Sequence, residues 1–368
     1  MRIKKVELFQ SKIKLFEPFK ISLGTLEYAE NVLVRITTDA GIAGWGECSP
    51  FRTIHGESME TCFIVGKYIG QVLIGKDPLD IEQCTSLMHK VIYGNSSIKS
   101  AFDSALYDIA AQNTGVPLYK FLGGERSKQI ITDYTISLDH PEKMADDAVL
   151  IMAKGFKIIK VKLGGTREED VDRIRQIRNR TGDGIQLRID ANQAWDCLTA
   201  VSILKELEPY AIQHCEEPIP RWDFMNLPYV KKISPIPVMA DESCCDQHDA
   251  ARLIALDACH KFNIKLGKSS GIFNALKMIQ LAEHAGISIQ LGGFLESRLG
   301  FTASAHLGLI SDAIKYFDFD TPLMFEEDSV VGGILYGANG EITLPEAIGL
   351  GASMDEKYLT TLPQYAVY

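Results

Sequence analysis

Residues 185–192 read Ile185-Gln186-Leu187-Arg188-Ile189-Asp190-Ala191-Asn192, an alternating apolar run that ends on a carboxylate. The same design recurs on either side. Upstream lies Lys160-Val161-Lys162. Downstream come Cys215-Glu216-Glu217-Pro218, Ala240-Asp241-Glu242-Ser243 and Asn263-Ile264-Lys265-Leu266, each just past an apolar stretch. Steps of roughly 25 residues suit one strand plus one helix of a β/α barrel, whose strand C-termini share one face. The spacing predicts that three carboxylates and two lysine segments meet at one barrel mouth.

Extended outward, this rhythm predicts strands at 130–136, 157–163, 185–190, 211–216, 236–240, 261–266, 287–292 and 314–319. Helical periodicity falls between them at 169–180, 198–207, 248–256, 272–284 and 302–310. Short strands alternating with amphipathic helices imply parallel pairing, and eight of them imply a closed α/β barrel. The N-terminal third reads differently. Segments 4–15 and 31–38 alternate apolar and polar residues, and Asp39-Ala40-Gly41 turns the chain into Ile42-Ala43-Gly44-Trp45-Gly46-Glu47. Helical patterns follow at 60–73, 78–91 and 97–113, which makes an α+β module. The expected organisation is an α+β capping domain over 1–125, a barrel over 126–320, and a segment 321–368 returning to the cap.

Composition narrows the partners. Of 368 residues, 46% are hydrophobic, and Lys+Arg of 38 against Asp+Glu of 48 gives a net charge of -10, a sign that repels nucleic acid. Met1-Arg2-Ile3-Lys4-Lys5 is not expected to open a signal peptide, and no apolar run reaches the length of a membrane span. Eight cysteines without metal-type spacing are expected to be reduced. A cytoplasmic protein that touches neither nucleic acid nor membrane is expected, and analogy with other barrels suggests a homo-oligomer.

The chemistry follows from residue type. Lys160 and Lys162 are two apart on a strand, so both face the barrel interior, where crowding is expected to depress the pKa of at least one. Asp190, Glu216 and Asp241 end successive strands, and three converging carboxylates need a cation. Oxygen-only ligands specify a hard metal, magnesium first and manganese second. Spacing alone leaves Glu216 and Glu217 as alternatives for the second position. Lys265 falls on strand six, across the ring from Lys162 on strand two, so a carbon held between them shows one face to each. Asp318-Phe319-Asp320 places two aspartates at the end of strand eight, where they would hold a cation such as a substrate ammonium.

These motifs, with Gly44–Glu47 of the cap, resemble the enolase superfamily in its muconate lactonizing enzyme branch, over essentially the whole chain. The resemblance implies a (β/α)7β barrel with an α+β cap and one Mg2+ per subunit on Asp190, Glu216 and Asp241. It makes Lys162 the base for an (R)-configured centre and Lys265 the base for an (S)-configured one, with Lys160 as pKa tuner and carboxylate contact. The Asp-x-Asp resembles that of dipeptide epimerases, isomerases in which it clamps a dipeptide's ammonium. Thr135 and the Gly292-Gly293 turn are expected to add contacts, Gly293 among them. In the alanyl-glutamate epimerases an arginine of the cap loop grips the glutamate, and the aligned position here is Gly24, amid Phe19, Leu23, Leu26 and Ile54. Expected substrates are therefore L-Ala-Xaa dipeptides with hydrophobic Xaa. An alanyl-glutamate epimerase, an o-succinylbenzoate synthase or an N-acylamino acid racemase of the same branch are the alternatives. A Schiff-base aldolase barrel or a non-catalytic peptide-binding barrel would be different classes of answer. Whether Glu217 or Lys268 contributes is left open.

Overall fold

Eight short strands form the centre of the molecule: Tyr134–Ile136, Ile158–Lys162, Gln186–Asp190, Ile212–Glu216, Val238–Ala240, Lys261–Ile264, Ser288–Leu291 and Ile314–Phe317. They lie side by side in chain order, each parallel to the next. A parallel bridge between Thr132 and Phe317 joins last to first and closes the ring. The computed structural model describes residues 1–125 and 128–368. Apolar strand residues such as Ile159, Val161, Leu187, Ile189 and Phe262 are fully buried, because helices cover the sheet outside and side chains fill it inside.

Helices Pro141–Ala153, Arg167–Thr181, Cys197–Glu206, Leu227–Ile233, Gln247–Ala255, Ile272–Ala285 and Arg298–Leu307 return the chain between strands. Two of them, Pro141–Ala153 and Leu227–Ile233, were not expected. The first carries buried Met144, Ala145, Ala148 and Ile151 at helical spacing behind an N-terminal proline. The second has seven residues, too few to show a period. Strands six and eight end at Ile264 and Phe317, so Lys265, Asp318 and Asp320 sit on the loops just beyond. Among the described residues no helix is long and apolar enough to cross a membrane.

The cap is built on an antiparallel sheet of Ile3–Ile21, Gly24–Thr38 and Ala43–Cys48, with Gln364–Val367 paired to the outer edge of the first strand. Its first hairpin is longer than the sequence suggested. It runs on past a register shift between Lys14 and Phe19 to a tight turn at Ser22-Leu23. Helix Ser96–Thr114 lies directly on strand Ala43–Cys48. A Cβ at Gly44 or Gly46 would fall 2.1 and 1.9 Å from the carbonyl oxygens of Ala105 and Ala101, so only glycine allows that approach.

Three buried aspartates and glutamates seam the cap to the rest. Glu47 accepts from Ser297 N at 3.0 Å, Ser297 Oγ at 2.6 Å, Gly300 N at 2.9 Å and Asn31 Nδ2 at 2.7 Å, capping helix Arg298–Leu307 from across the interface. Asp103 does the same for helix Ile272–Ala285 through Ile272 N at 2.5 Å and Phe273 N at 3.2 Å. Asp108 accepts from Trp45 N at 3.0 Å and Leu350 N at 2.7 Å.

Candidate active site

The C-terminal ends of the strands converge under the cap hairpin. Lys160 and Lys162 both point inward, as the pleat requires. Lys160 Nζ stands 3.1 Å from Asp190 Oδ2, 2.9 Å from Glu216 Oε2 and 2.8 Å from Asp318 Oδ2. Lys162 Nζ is 2.7 Å from Asp190 Oδ2 and donates to Asn192 Oδ1 at 3.1 Å. Lys265 Nζ is 2.9 Å from Asp241 Oδ2. Aromatic faces stand near both opposed lysines: Phe19 lies 5.8 Å from Lys162 Nζ and Phe294 lies 4.6 Å from Lys265 Nζ.

Local backbone separates the two glutamates that spacing could not. Glu216 faces inward, its carboxylate accepting from Asn263 Nδ2 at 2.8 Å and Gln290 Nε2 at 3.1 Å. Glu217 follows with φ of 34°, which swings its side chain toward the next loop. There it accepts from Asp241 N at 2.6 Å, Ser243 N at 3.3 Å and Ser243 Oγ at 3.0 Å. Lys268 approaches Asp241 from the opposite side, donating to its carbonyl and carboxylate as well as to Cys244 O at 3.2 Å and Asn263 O at 2.9 Å. Both residues thus brace Asp241.

The electrostatics carry an unresolved excess of negative charge. Burial together with the charges of Asp190 and Asp241 pushes Glu216 up to about 8. Asp190 is buried too, but Lys162 and Lys160 outweigh that and hold it down to about 2. Asp241 is lowered against its burial by Lys265 and Lys268. The sequence led us to expect a depressed pKa for Lys160 or Lys162, and for Lys160 the reverse holds. Burial opposes charge on Lys160, yet Asp318, Glu216 and Asp190 raise it well above its ordinary value. Lys265 is raised likewise by Asp241 and Glu216 against burial. Carboxylates outnumber ammonium groups here, so each lysine is a counter-ion. A divalent cation suits this set: it would relieve the repulsion that raises Glu216 and join Lys265 as a counter-ion to Asp241.

Three carboxylate oxygens of Asp133, Asp318 and Asp320 come within 4.8 Å of one another on the adjoining wall. Asp133 did not stand out in the sequence. It is reached through Arg188, whose Nη1 lies 2.7 Å from Asp133 Oδ2. Asp320 Oδ2 accepts from Thr135 N at 2.5 Å, while Asp320 Oδ1 is buried without a hydrogen-bond partner. Burial and the neighbouring charge of Asp318 push Asp320 up to about 7.

The cleft between these walls is lined by Lys162, Lys265, Asn192, Thr135, Asp318 and Asp320 and by the apolar Phe19, Ile21, Phe51, Ile54, Phe294 and Leu295. Gly293 also lines it, and a Cβ there would meet Phe301 at 2.5 Å and Glu296 Oε2 at 2.7 Å. Gly24 does not. It sits just past the hairpin turn and lines a separate groove with Thr25, Tyr28 and Arg52, because the strand continues and lifts it off the mouth. Lys20 points away to Asp139 at 2.8 Å. Asn192, Phe51, Phe294, Leu295, Thr321 and Asp133 are among the residues here that the sequence reading passed over. For Asn192 a signal existed: it stands two residues after Asp190 in the quoted run.

With this geometry in place, the likeness to known proteins is informative. Residues 3–123 match the mandelate racemase/muconate lactonizing enzyme N-terminal domain and residues 143–358 the enolase C-terminal domain-like family. The chain belongs to the mandelate racemase/muconate lactonizing enzyme family of the enolase superfamily. It is 59% identical over 367 residues to a D-Ala-D/L-Ala epimerase of Cytophaga hutchinsonii, covering 100% of both chains. It is 40% identical to a hydrophobic dipeptide epimerase of Enterococcus faecalis, covering 96% of this chain and 100% of that one. A solved dipeptide epimerase from Cytophaga hutchinsonii, complexed with Mg and D-Ala-L-Val, matches with a TM-score of 0.99 at 59% identity over 100% of both chains.

Proposed function

We propose that the protein is a Mg2+-dependent dipeptide epimerase that inverts the α-carbon of the C-terminal residue of alanyl dipeptides with an apolar second side chain. The observation that carries this reading is a single cleft lined by two lysines from opposite sides of the ring, Lys162 and Lys265, with Asp318 and Asp320 on its third wall. Asp190, Glu216 and Asp241 would hold the cation. Bound there, Mg2+ supplies positive charge that stabilises a substrate carboxylate as its neighbouring carbon loses a proton.

Everything else falls to the chain's own residues. Asp318 and Asp320 bind the substrate ammonium and fix one end of the dipeptide. Lys160, at the centre of the acids, contacts the substrate carboxylate. Lys162 removes the α-proton from one face and Lys265 delivers a proton to the other; the reverse assignment serves the other epimer. The cap hairpin, through Phe19 and Ile21, and the loop after strand Ala43–Cys48, through Phe51 and Ile54, exclude water and cover the second side chain.

The apolar lining favours a hydrophobic second residue over glutamate, because among the described residues no arginine lines the cleft and Lys20 is engaged elsewhere. The sequence pointed to L-alanine in first place, whereas the Cytophaga hutchinsonii relative is named for D-Ala. The deciding experiment is therefore a screen of L-Ala-Xaa and D-Ala-Xaa libraries in D2O with Mg2+, read by mass spectrometry. Deuterium should enter dipeptides with Val, Leu, Ile or Phe in second place. Preferential turnover of alanyl-glutamate would refute the side-chain assignment, and absence of exchange in every member would refute the epimerase.

A further inference from the structure

Every polar group of Asn192 is engaged, and each by a different part of the site. Its N–H donates to Asp190 Oδ1 at 2.9 Å and its carbonyl accepts from Ser22 Oγ at 2.9 Å. Its side-chain Oδ1 accepts from Lys162 Nζ at 3.1 Å, and its Nδ2 donates to Glu242 Oε1 at 3.1 Å. One buried residue thus touches a candidate metal ligand and the cap through its backbone, and a candidate base and the neighbour of a second ligand through its side chain.

The backbone here is strained. Asn192 has φ of 41° and Gln193 φ of 70°, two successive non-glycine residues in the left-handed region. Such conformations are unfavourable for residues with a Cβ and persist where the surroundings over-determine them. The cap hairpin supplies part of that constraint. Ser22 Oγ reaches Ala191 O at 3.1 Å as well as Asn192 O. Its seat is cut by Gly164, two residues after Lys162, where a Cβ would fall 2.7 Å from Ser22 Cβ and 3.1 Å from Ala194 Cβ. The hairpin tip is therefore clasped between the loop that follows Lys162 and the loop that carries Asn192. Gln193 N donates to Glu217 O at 2.9 Å and holds the far side.

We propose that Asn192 is a positioning residue that couples docking of the cap hairpin to the aim of Lys162. Ser22 fixes the Asn192 backbone, the left-handed turn directs its side chain inward, and the neutral Oδ1 orients the lysine ammonium without adding charge. Lys265 has no such link to the hairpin tip; its polar contact is Asp241. Coupling on this pattern acts on one lysine and one face of the substrate. The inference rests on the proposed roles of Lys162 and Lys265, and the test separates the two.

Epimerisation in either direction needs both lysines, so overall rates cannot reveal one-sided damage. Exchange with retained configuration can. A lysine takes the α-proton as an ammonium hydrogen and returns a deuteron to the same face, so each epimer reports its own base. Wild type, N192G and S22A would be compared in D2O with Mg2+ on both epimers of a dipeptide identified by the screen. N192G keeps the left-handed backbone and the N–H to Asp190 while removing the amide. Retained-configuration exchange at the Lys162 face should fall roughly tenfold or more, with the Lys265 face and the Mg2+ affinity measured by calorimetry changed less than about threefold. S22A, which leaves the amide in place, should give the same one-sided loss to a smaller degree. Equal losses at both faces in N192G, or an S22A enzyme altered only in KM with symmetric exchange, would overturn the coupling. A wild-type enzyme that exchanges neither epimer would instead overturn the epimerase reading itself.

Discussion

Two sets of buried carboxylates hold this molecule together in opposite ways. At the seam, Glu47, Asp103 and Asp108 each face backbone N–H groups, four donors in the case of Glu47 when side chains are included. At the mouth, Asp190, Glu216 and Asp241 face one another and compete for lysines. The seam's acids draw their donors from within the chain, with Asp103 Oδ1 left without a hydrogen-bond partner, and so tie the cap to the barrel. The mouth carries more acids than lysines, and on the proposed reading its acids await a cation from outside at the expense of the fold. Burial alone, which is similar in both, does not tell a structural carboxylate from a functional one; the partners do.

The largest effect that would test this contrast is on chemistry. K162A and K265A should each lower epimerisation by on the order of 10²–10⁴-fold, as loss of a positioned proton-transfer group does. Each should still exchange the α-proton at the face served by the remaining lysine, which NMR in D2O would detect. Loss of exchange at both faces in K162A would mean that the lysines are not independent bases. Next in size, D318N/D320N together should raise KM for the dipeptide roughly 10- to 100-fold through loss of charge-assisted bonds to the ammonium. Calorimetric Mg2+ binding should survive that change, and its loss would move the cation site onto this wall.

Smaller effects separate seam from mouth directly. Without Mg2+, E216Q should unfold at the same or a higher temperature than wild type, because it removes a charge conflict, and adding Mg2+ should no longer raise its Tm. E47Q should instead lose about 1–3 kcal/mol, since its amide N–H2 now confronts donors that need an acceptor. Denaturant melts of both, with and without Mg2+, would show whether the division holds.

The smallest effect concerns pH. Glu216 is raised from 4.5 to about 8 in the folded chain, so the folded state keeps a proton that the unfolded state releases. Its contribution is fully present below pH 4.5 and is lost as pH rises through about 8. Metal-free stability should therefore decline across that window in wild type and decline less in E216Q. Mg2+, competing with that proton, should bind more tightly as pH rises.

Much of this was legible in the chain. Regular spacing of apolar runs located the eight strands, and a two-residue separation put Lys160 and Lys162 on one face. What escaped the sequence was whatever depends on a single backbone torsion or on meeting a distant segment. Glu216 and Glu217 differ through one left-handed residue. Asp133 matters because closure of the ring brings it beside Asp318 and Asp320, residues far along the chain. Gly24 was expected at the cleft because it aligns with the cap-loop arginine of the alanyl-glutamate epimerases; just past the turn of a continuous hairpin, it lines a separate groove instead. Phe294 earns its place over Lys265 only through the conformation of the loop after strand seven.

The continuity of that first hairpin has a mechanical consequence. The cover over the mouth is the far end of strands whose near ends, Val6 to Phe9, pair in the cap sheet with Val367 to Gln364. The register slip between Lys14 and Phe19 is the weak point in this beam. Phe19 and Ile21, which line the cleft, both belong to the arm of the hairpin beyond that slip. Side chains on its two sides alternate, so changes that retune what the arm presses against are confined to every second position.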